Sequence, residues 1–372
     1  MNILQSISRP IQRNLFESDF RQMLQPQGLL FSAINTQTLS ETSLTAWNWT
    51  KQAGLGLIGA LALFMLGGAV YQELSTRIDA KNNPPMGELI DIGGYKMHLY
   101  TTGSGGPAVV LDPGLGCNAL GWQLVQPEIA KFTKVVSFDR PGHGWSDESP
   151  LERTSQNIVT ELHTALHKAN IPGPYILVGH SFGGLNARLF ASLYPNEVLG
   201  VVLVDSAHEN MVEKIPMPQI NHTLMMLASR LGIIRLCTHL PTYRKSVAVF
   251  PEQVQSQLLS QQRTTKFMRT VLQESSHIKT SCNQLKATGG HLGDKPLTII
   301  TAVKQISEKG SGMTREQIDA VYIPFQALQK DLLTKSSRSK QVFAEESDHM
   351  ITHNQPQIIV EAVKEMIEVL DA

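Results

Sequence analysis

The residues best suited to chemistry are Gly179-His180-Ser181-Phe182-Gly183, which follow the apolar run 175–178 and precede a helix-like stretch. Strand, sharp turn and helix in that order put a serine at the apex of the turn, the geometry of an activated serine nucleophile. The two glycines have a physical reason: strand and helix pack so closely around such a strained serine that neighbours two positions away must lack side chains. A hydroxyl is a poor nucleophile near neutrality, so a base within hydrogen-bond reach must take its proton as it attacks a carbonyl. His349, His353 and His180 are the histidines to weigh, and His180, inside the turn itself, is expected to point away from the Ser181 hydroxyl. A carboxylate at a strand end must then fix the imidazole tautomer and stabilise the imidazolium. Asp205, which closes Val202-Leu203-Val204-Asp205, stands at such an end, and capping of a following helix is its other possible job.

The elements that must position these groups alternate along the chain. Runs at 89–92 and 95–100 flank Gly93-Gly94, a hairpin signal. Short apolar runs follow at 108–111, 134–138, 175–178, 201–204, 297–301 and 341–344, near-continuous enough for strands buried on both faces. Between them Ile158, Leu162, Ala165, Leu166 and Ala169 recur at helical spacing, as do Ile359, Val363, Met366 and Leu370 after Pro356. An antiparallel start followed by strand–helix alternation predicts an α/β fold with a mostly parallel, eight-stranded sheet covered on both sides. Residues 206–295 break the rhythm and read as a mainly helical insertion.

Composition narrows the function classes. The 372 residues, 42% hydrophobic and 17% charged, suit one large domain with additional segments. Lys+Arg 32 against Asp+Glu 32 leaves no net field for nucleic acid, so no nucleic-acid partner is expected. Cys117, Cys237 and Cys282 are far apart and form no C-x-x-C pair, so no zinc or redox site is implied. Residues 53–71 form nineteen uncharged positions between Lys51 and Glu73, long enough to cross a bilayer as one transmembrane helix. Trp47, Trp49 and Tyr71 stand at its ends, where amphipathic aromatics meet headgroups. Lys51 on one flank and Arg77 and Lys81 on the other give no usable orientation. The expected organisation is a segment of low order at 1–52, the membrane helix 53–71, a linker 72–87 ending in Asn82-Asn83-Pro84-Pro85, core 88–205, insertion 206–295 and core 296–372. On this reading a chain beginning near Lys81 should be soluble.

With the serine after the fifth strand, residues 88–371 resemble the α/β-hydrolase family. Asp139-Arg140-Pro141-Gly142-His143-Gly144-Trp145-Ser146 looks like the family's structural D-x-x-G-x-G-x-S segment, in which His143 is expected to be packed or exposed and not to transfer protons. Asp112-Pro113-Gly114-Leu115-Gly116 stands where the family carries its oxyanion loop, with Pro113 replacing the usual histidine. The resemblance implies backbone N–H donors at Leu115 and Phe182, and a backbone donor survives the Pro113 departure. It also implies His349 as the base, in Ser347-Asp348-His349-Met350 before the last helix. Most members supply the acid after the seventh strand, but here 297–305 holds none before Glu308. Some use the end of the sixth strand, where Asp205 stands; Glu308, Asp294 and Asp319 remain the alternatives.

The implied activity is a serine hydrolase that cleaves an ester, thioester or related acyl bond through an acyl-serine, with no metal or organic cofactor. Acyl transfer and cofactor-free haloperoxidase chemistry use the same triad, whereas the epoxide hydrolases and haloalkane dehalogenases of the fold attack with aspartate. A catalytically silent, membrane-anchored binding protein is the alternative from another class. The insertion would be a cap over the site. Its Met217, Leu224, Met225, Met226, Leu227, Leu231, Ile233 and Ile234 suit either an apolar, lipid-like acyl substrate or the cap's own core. Resemblance to bacterial members with a similar leading anchor implies a catalytic domain outside the cytoplasm.

Overall fold

The apolar runs become the strands of one sheet because each alternates its side chains between two helical layers. A computed structural model describes residues 36–217, 219–305 and 312–371, with side chains from residue 43 onward. The strands are β1 (Glu88–Asp91), β2 (Lys96–Thr102), β3 (Val109–Asp112), β4 (Val135–Asp139), β5 (Tyr175–His180), β6 (Val198–Val204), β7 (Leu297–Ala302) and β8 (Ser339–Ala344). They form an eight-stranded sheet in the order β1-β2-β4-β3-β5-β6-β7-β8. β2 pairs antiparallel with β1 and β4, and every other pairing is parallel.

The helices are α1 (Thr36–Asn82), α2 (Gln126–Ile129), α3 (Ser155–Lys168), α4 (Phe182–Leu193), α5 (Met211–Lys214), α6 (His222–Arg230), α7 (Ile233–Cys237), α8 (Pro241–Val247), α9 (Glu252–Gln262), α10 (Thr265–Ser276), α11 (Ile278–Ala287), α12 (Arg315–Asp331), α13 (Ile351–Asn354) and α14 (Pro356–Asp371). Leu177, Leu203 and Ile299 face one way, into a core with Leu162 and Leu166 of α3 and Leu185 and Leu189 of α4. Their neighbours Ile176, Val178, Val202, Val204 and Ile300 face the other way, into a core with Ile359 and Val363 of α14. That period of two is the pleat of a strand buried on both faces. The expectation of two-sided burial fails at the edge strand β8, whose Phe343 is exposed.

Two expected boundaries need correction. The segment expected to be of low order, 1–52, is helical from Thr36, and residues 1–35 lie outside the described residues. Between Thr36 and the apolar run there is no glycine or proline, so nothing stops the helix from extending outward. The expected linker 72–87 is likewise helical to Asn82, helped by an exposed Arg77–Glu73 pair one turn apart. Asn83-Pro84-Pro85 then ends it.

The chain divides into two units near Gly67, and the part of α1 from Gly68 onward belongs with the sheet. There it docks on the helices of the insertion. A Cβ on Gly68 would stand 2.8 Å from the Leu231 carbonyl oxygen, so the backbones meet where Gly68 has no side chain. The buried Arg235 of α7 directs its guanidinium at α1, donating to Gln72 Oε1 at 3.1 Å, to Thr76 Oγ1 at 3.0 Å and to the Asp79 carboxylate. Gln72 Nε2 donates on to the Arg263 carbonyl at 2.6 Å, and Trp145 Nε1 to the Asn83 carbonyl at 2.9 Å.

A chain that begins at Gly68 keeps all three partners of Arg235, whereas one that begins at Lys81 keeps none. The shorter chain should lose about 3–5 kcal/mol, the usual cost of leaving a buried charge unpaired. Thermal unfolding of the two truncated chains measures the difference, and equal midpoints would contradict it.

Candidate active site

Ser181 is held at a turn that the surrounding backbone enforces. It follows β5 and precedes α4 with φ 52° and ψ −118°, a sparsely populated conformation for a residue with a side chain. Its N–H donates to the Val204 carbonyl at 3.0 Å, and its carbonyl accepts from Ala207 N–H at 2.8 Å, so both ends of the turn are tied to β6 and the loop beyond it. A Cβ on Gly179 would lie 2.4 Å from the Gly183 oxygen, and one on Gly183 would lie 2.2 Å from the Asp112 oxygen. Strand, helix and the β3 loop meet there with backbone against backbone.

His349 and Asp205 converge on that serine. His349 Nε2 lies 3.0 Å from Ser181 Oγ, and Nδ1 lies 2.6 Å from Asp205 Oδ2. With a proton on Nδ1 donated to the carboxylate, Nε2 is free to accept the serine's proton. Asp205 is buried at the end of β6 with φ 40°; its N–H donates to the Ile300 carbonyl at 2.7 Å and its Oδ1 accepts from Ala302 N–H at 3.0 Å. No helix starts after it until α5, whose cap is Asn210, so the helix-capping job does not apply. Asp294 precedes β7, at the opposite end of that strand from Asp205's partner Ala302, and Asp319 pairs with Arg315 at 3.0 Å on α12. Glu308 lies outside the described residues.

The local electrostatics favour a chargeable His349. Burial works against its imidazolium, but the hydrogen bond and charge of Asp205, with Asp348 behind them, outweigh it and raise the pKa above the ordinary imidazole value. His180 behaves oppositely. Burial, aided by His349's charge, pushes it down to about 3, so its neutral ring donates Nε2–H to the His349 carbonyl at 2.9 Å and steadies the loop. His353 packs edge-on against Phe250, and burial lowers it to about 4. The edge of Phe325 from α12 closes one side of the His349 ring, with centroids 6.1 Å apart.

The loop after β3 is braced by a group that sequence reasoning did not single out. Arg140 is fully buried and uses all of its N–H groups. It donates to Asp112 Oδ1 at 2.9 Å, to the carbonyls of Pro113 at 2.6 Å and Gly114 at 2.7 Å, and to both oxygens of Glu274 at 2.8 and 3.3 Å. The guanidinium also lies over the Phe182 ring, 5.4 Å from its centroid. Gly114 is thereby held against the turn: a Cβ there would sit 3.0 Å from His180 Nδ1 and 3.2 Å from Ser181 Cβ. Leu115, expected as one oxyanion donor, follows Gly114 in this loop, and Phe182, expected as the other, follows Ser181 as the first residue of α4. Burial would raise Glu274, but Arg140 and His143 hold it well below the usual carboxylate range; burial pushes Asp112 up to about 7 despite Arg140. His143 is buried 3.1 Å from Glu274 and edge-on to Phe267, away from the serine's partners. The glycine pattern of its segment follows from Asp139, whose carboxylate accepts from Ala119 and Trp145 N–H and sits 2.1 Å from where a Gly144 Cβ would be.

Glu274 belongs to α10, so the insertion reaches the site through a buried charge. Val271 and Phe267 of the same helix approach Gly116, and Lys266 Nζ donates to the carbonyls of Gly144 and Ser146. Of the apolar residues of the insertion, Met217 packs on the sheet's core, Met225, Met226, Leu231 and Ile234 are half-buried, and Leu224, Leu227 and Ile233 are exposed. A group resembling a metal-ligand set, His163, His167 and Glu197, with contacts of 3.0 and 3.1 Å, stands before β6, at the far end of the sheet from Ser181.

Known proteins share this fold. The family model described as the alpha/beta hydrolase fold matches residues 107–365. The uncharacterized protein YqjL of Bacillus subtilis is 25% identical over 271 residues, 72% of this chain and 87% of its own length. YbdG of the same organism is 28% identical over 163 residues, which span 43% of this chain and half of that protein. A 2-hydroxymuconate semialdehyde hydrolase of Pseudomonas is 31% identical over 130 residues, 34% of this chain and 46% of its length. Among solved structures, the Cif epoxide hydrolase of Acinetobacter nosocomialis superposes with TM-score 0.60 at 15% identity, over 80% of this chain and 96% of its own. An esterase of Thermogutta terrifontis does so with TM-score 0.53 at 17% identity, over 77% and 99%.

Replacing Arg140 by leucine strands Glu274 without its cation and should destabilise the protein by about 3–5 kcal/mol. The double change Arg140→Leu with Glu274→Leu should recover part of that loss, because no unpaired carboxylate remains at position 274. Urea titrations of the three proteins measure both effects.

Proposed function

The chain belongs to the alpha/beta-hydrolase fold family, and from that premise we propose that it is a membrane-anchored serine hydrolase acting on an ester, thioester or related acyl bond. The observation that carries this reading is the unbroken contact series from Ser181 Oγ through His349 to Asp205, at 3.0 and 2.6 Å. Ser181 Oγ attacks the acyl carbon as His349 Nε2 takes its proton, and the new oxyanion accepts from Leu115 and Phe182 N–H. His349 returns the proton to the leaving group, which departs and leaves an acyl-serine. Water, deprotonated by His349, then attacks the acyl carbon; the tetrahedral adduct collapses, and the proton returns to Ser181. Asp205 holds the tautomer and balances the imidazolium throughout.

The hydrolase named among the relatives supports the class of reaction, and Phe267 and Val271 over Gly116, with Phe325 against the His349 ring, support an apolar acyl group. The anchor is α1. Its stretch Ser43–Asn82 contains a window of mean hydropathy 2.1, and Leu57, Ile58, Leu61, Leu63 and Leu66 are exposed, as suits lipid contact. The side of the membrane on which the hydrolase lies is proposed as extracytoplasmic only by likeness to anchored bacterial members.

Labelling by a fluorophosphonate should be abolished by Ser181→Ala. Ester turnover should fall by several orders of magnitude, to a residue of about 10³–10⁴ over water, with folding intact. Near wild-type turnover would end the serine-hydrolase reading.

Asp205→Asn should lower kcat/KM by about 10²–10⁴. The pH profile carries a sign as well. Catalysis needs neutral His349, and Asp205 raises its pKa, so the acid limb of the wild-type profile should lie above the ordinary imidazole value. Removing the carboxylate's charge leaves burial opposed only by the smaller effect of Asp348, so the limb of Asp205→Asn should move to lower pH.

A further inference from the structure

The cap's exposed leucines lie on the surface of α6, α7 and the turn beyond them. Leu224, Leu227, Ile233, Leu236 and Leu240 are between 39% and 56% exposed. Their position relative to α1 gives them a depth. Leu231 meets Gly68, and a Cβ on Gly232 would fall 2.8 Å from the Tyr71 ring, so the α6–α7 turn abuts the last turn of the uncharged run 53–71. Gly68 and Tyr71 are separated by only about 4.5 Å of helix rise. If the run spans a bilayer, that turn cannot stand clear of its surface.

The charges of the same segment are one-sided. No aspartate or glutamate occurs between Glu213 and Glu252, while Arg230, Arg244 and Lys245 are exposed. The chain as a whole balances 32 basic against 32 acidic residues, so this is a local positive field on a neutral molecule. Exposed leucines interleaved with cations are the composition of a surface that sinks its apolar side chains below anionic headgroups. Arg235 contributes none of that field, because Asp79 neutralises it.

We propose that α6, α7 and α8 form a second, interfacial membrane contact that binds an anionic lipid surface and seats the cap on the bilayer. The proposal rests on the reading of α1 as a membrane span. It also concerns substrate access: α6 packs on α10, whose Phe267 and Val271 lie over Gly116 of the loop beside Ser181. The roof of the site is therefore one helix away from the lipid, so an acyl substrate dissolved in the bilayer has a short route to the serine.

The test uses the full chain in vesicles of phosphatidylcholine with phosphatidylglycerol, doped with a phospholipid that carries a photoactivated carbene source near its headgroup, and maps the adducts by mass spectrometry. Adducts on Leu224, Leu227, Leu236 or Leu240, together with adducts on residues 55–70, support the proposal. Loss of the first set with retention of the second in Leu227→Asp/Leu236→Asp, two exposed positions, supports it further. Adducts confined to 55–70 in the wild-type chain overturn it and leave the anchor intact. Absence of adducts on 55–70 overturns the anchor, and this proposal with it. Equal cap labelling in vesicles of phosphatidylcholine alone overturns the preference for an anionic surface.

Discussion

Backbone crowding around Ser181 is the constraint on which the rest of the site depends. Gly179, Gly183 and the Asp112 carbonyl occupy a space in which no Cβ fits, so β3, β5 and α4 are locked at one separation. That separation fixes where Ser181 projects and how close Gly114 comes to it. The strain of Ser181 is matched at the next strand by Asp205, which also has a positive φ. Two residues in costly conformations at adjacent strand ends persist only because the ladder over-determines them. Ser181 N–H is bonded to Val204, and Asp205 N–H to Ile300, so each strand's register sets the one before it.

The sheet was largely legible in the sequence because its strands are short, apolar and separated by helical periodicity. The eight runs correspond to the eight strands in order. Helical extent was less legible: α1 runs past the apolar stretch at both ends, since charged and polar residues such as Glu73 and Arg77 satisfy a helix as readily as a linker. Ser181 carries a local pattern of strand, glycine and helix, and His349 and Asp205 could be proposed from strand ends and family likeness. Arg140 and Glu274 left no such trace. They are 134 positions apart, and a buried ion pair between distant segments has no local period or spacing to reveal it. The exposed leucines of α6 and α7 were illegible for a related reason, since an apolar stripe reads the same whether it faces a core or the outside.

The charges around the serine fall into two kinds. Arg140 and Glu274 are fixed, each holding the other ionised at full burial, and they shape the loop without exchanging protons. His349 is the exchangeable one, partly open to solvent and poised between burial and Asp205. Asp112, the other carboxylate on Arg140, stands between the two kinds, since burial pushes it up to about 7.

The carboxylate of Glu274 also makes the cap less of an independent module than its place in the chain suggests. A cap transplanted from a relative would have to bring an acid to the same point of its roof helix, or the host's Arg140 would be left with a charge it cannot release. A cap without that acid leaves Arg140 with Asp112 as its remaining carboxylate partner, a cost in stability that falls on the graft however well its pocket suits a substrate.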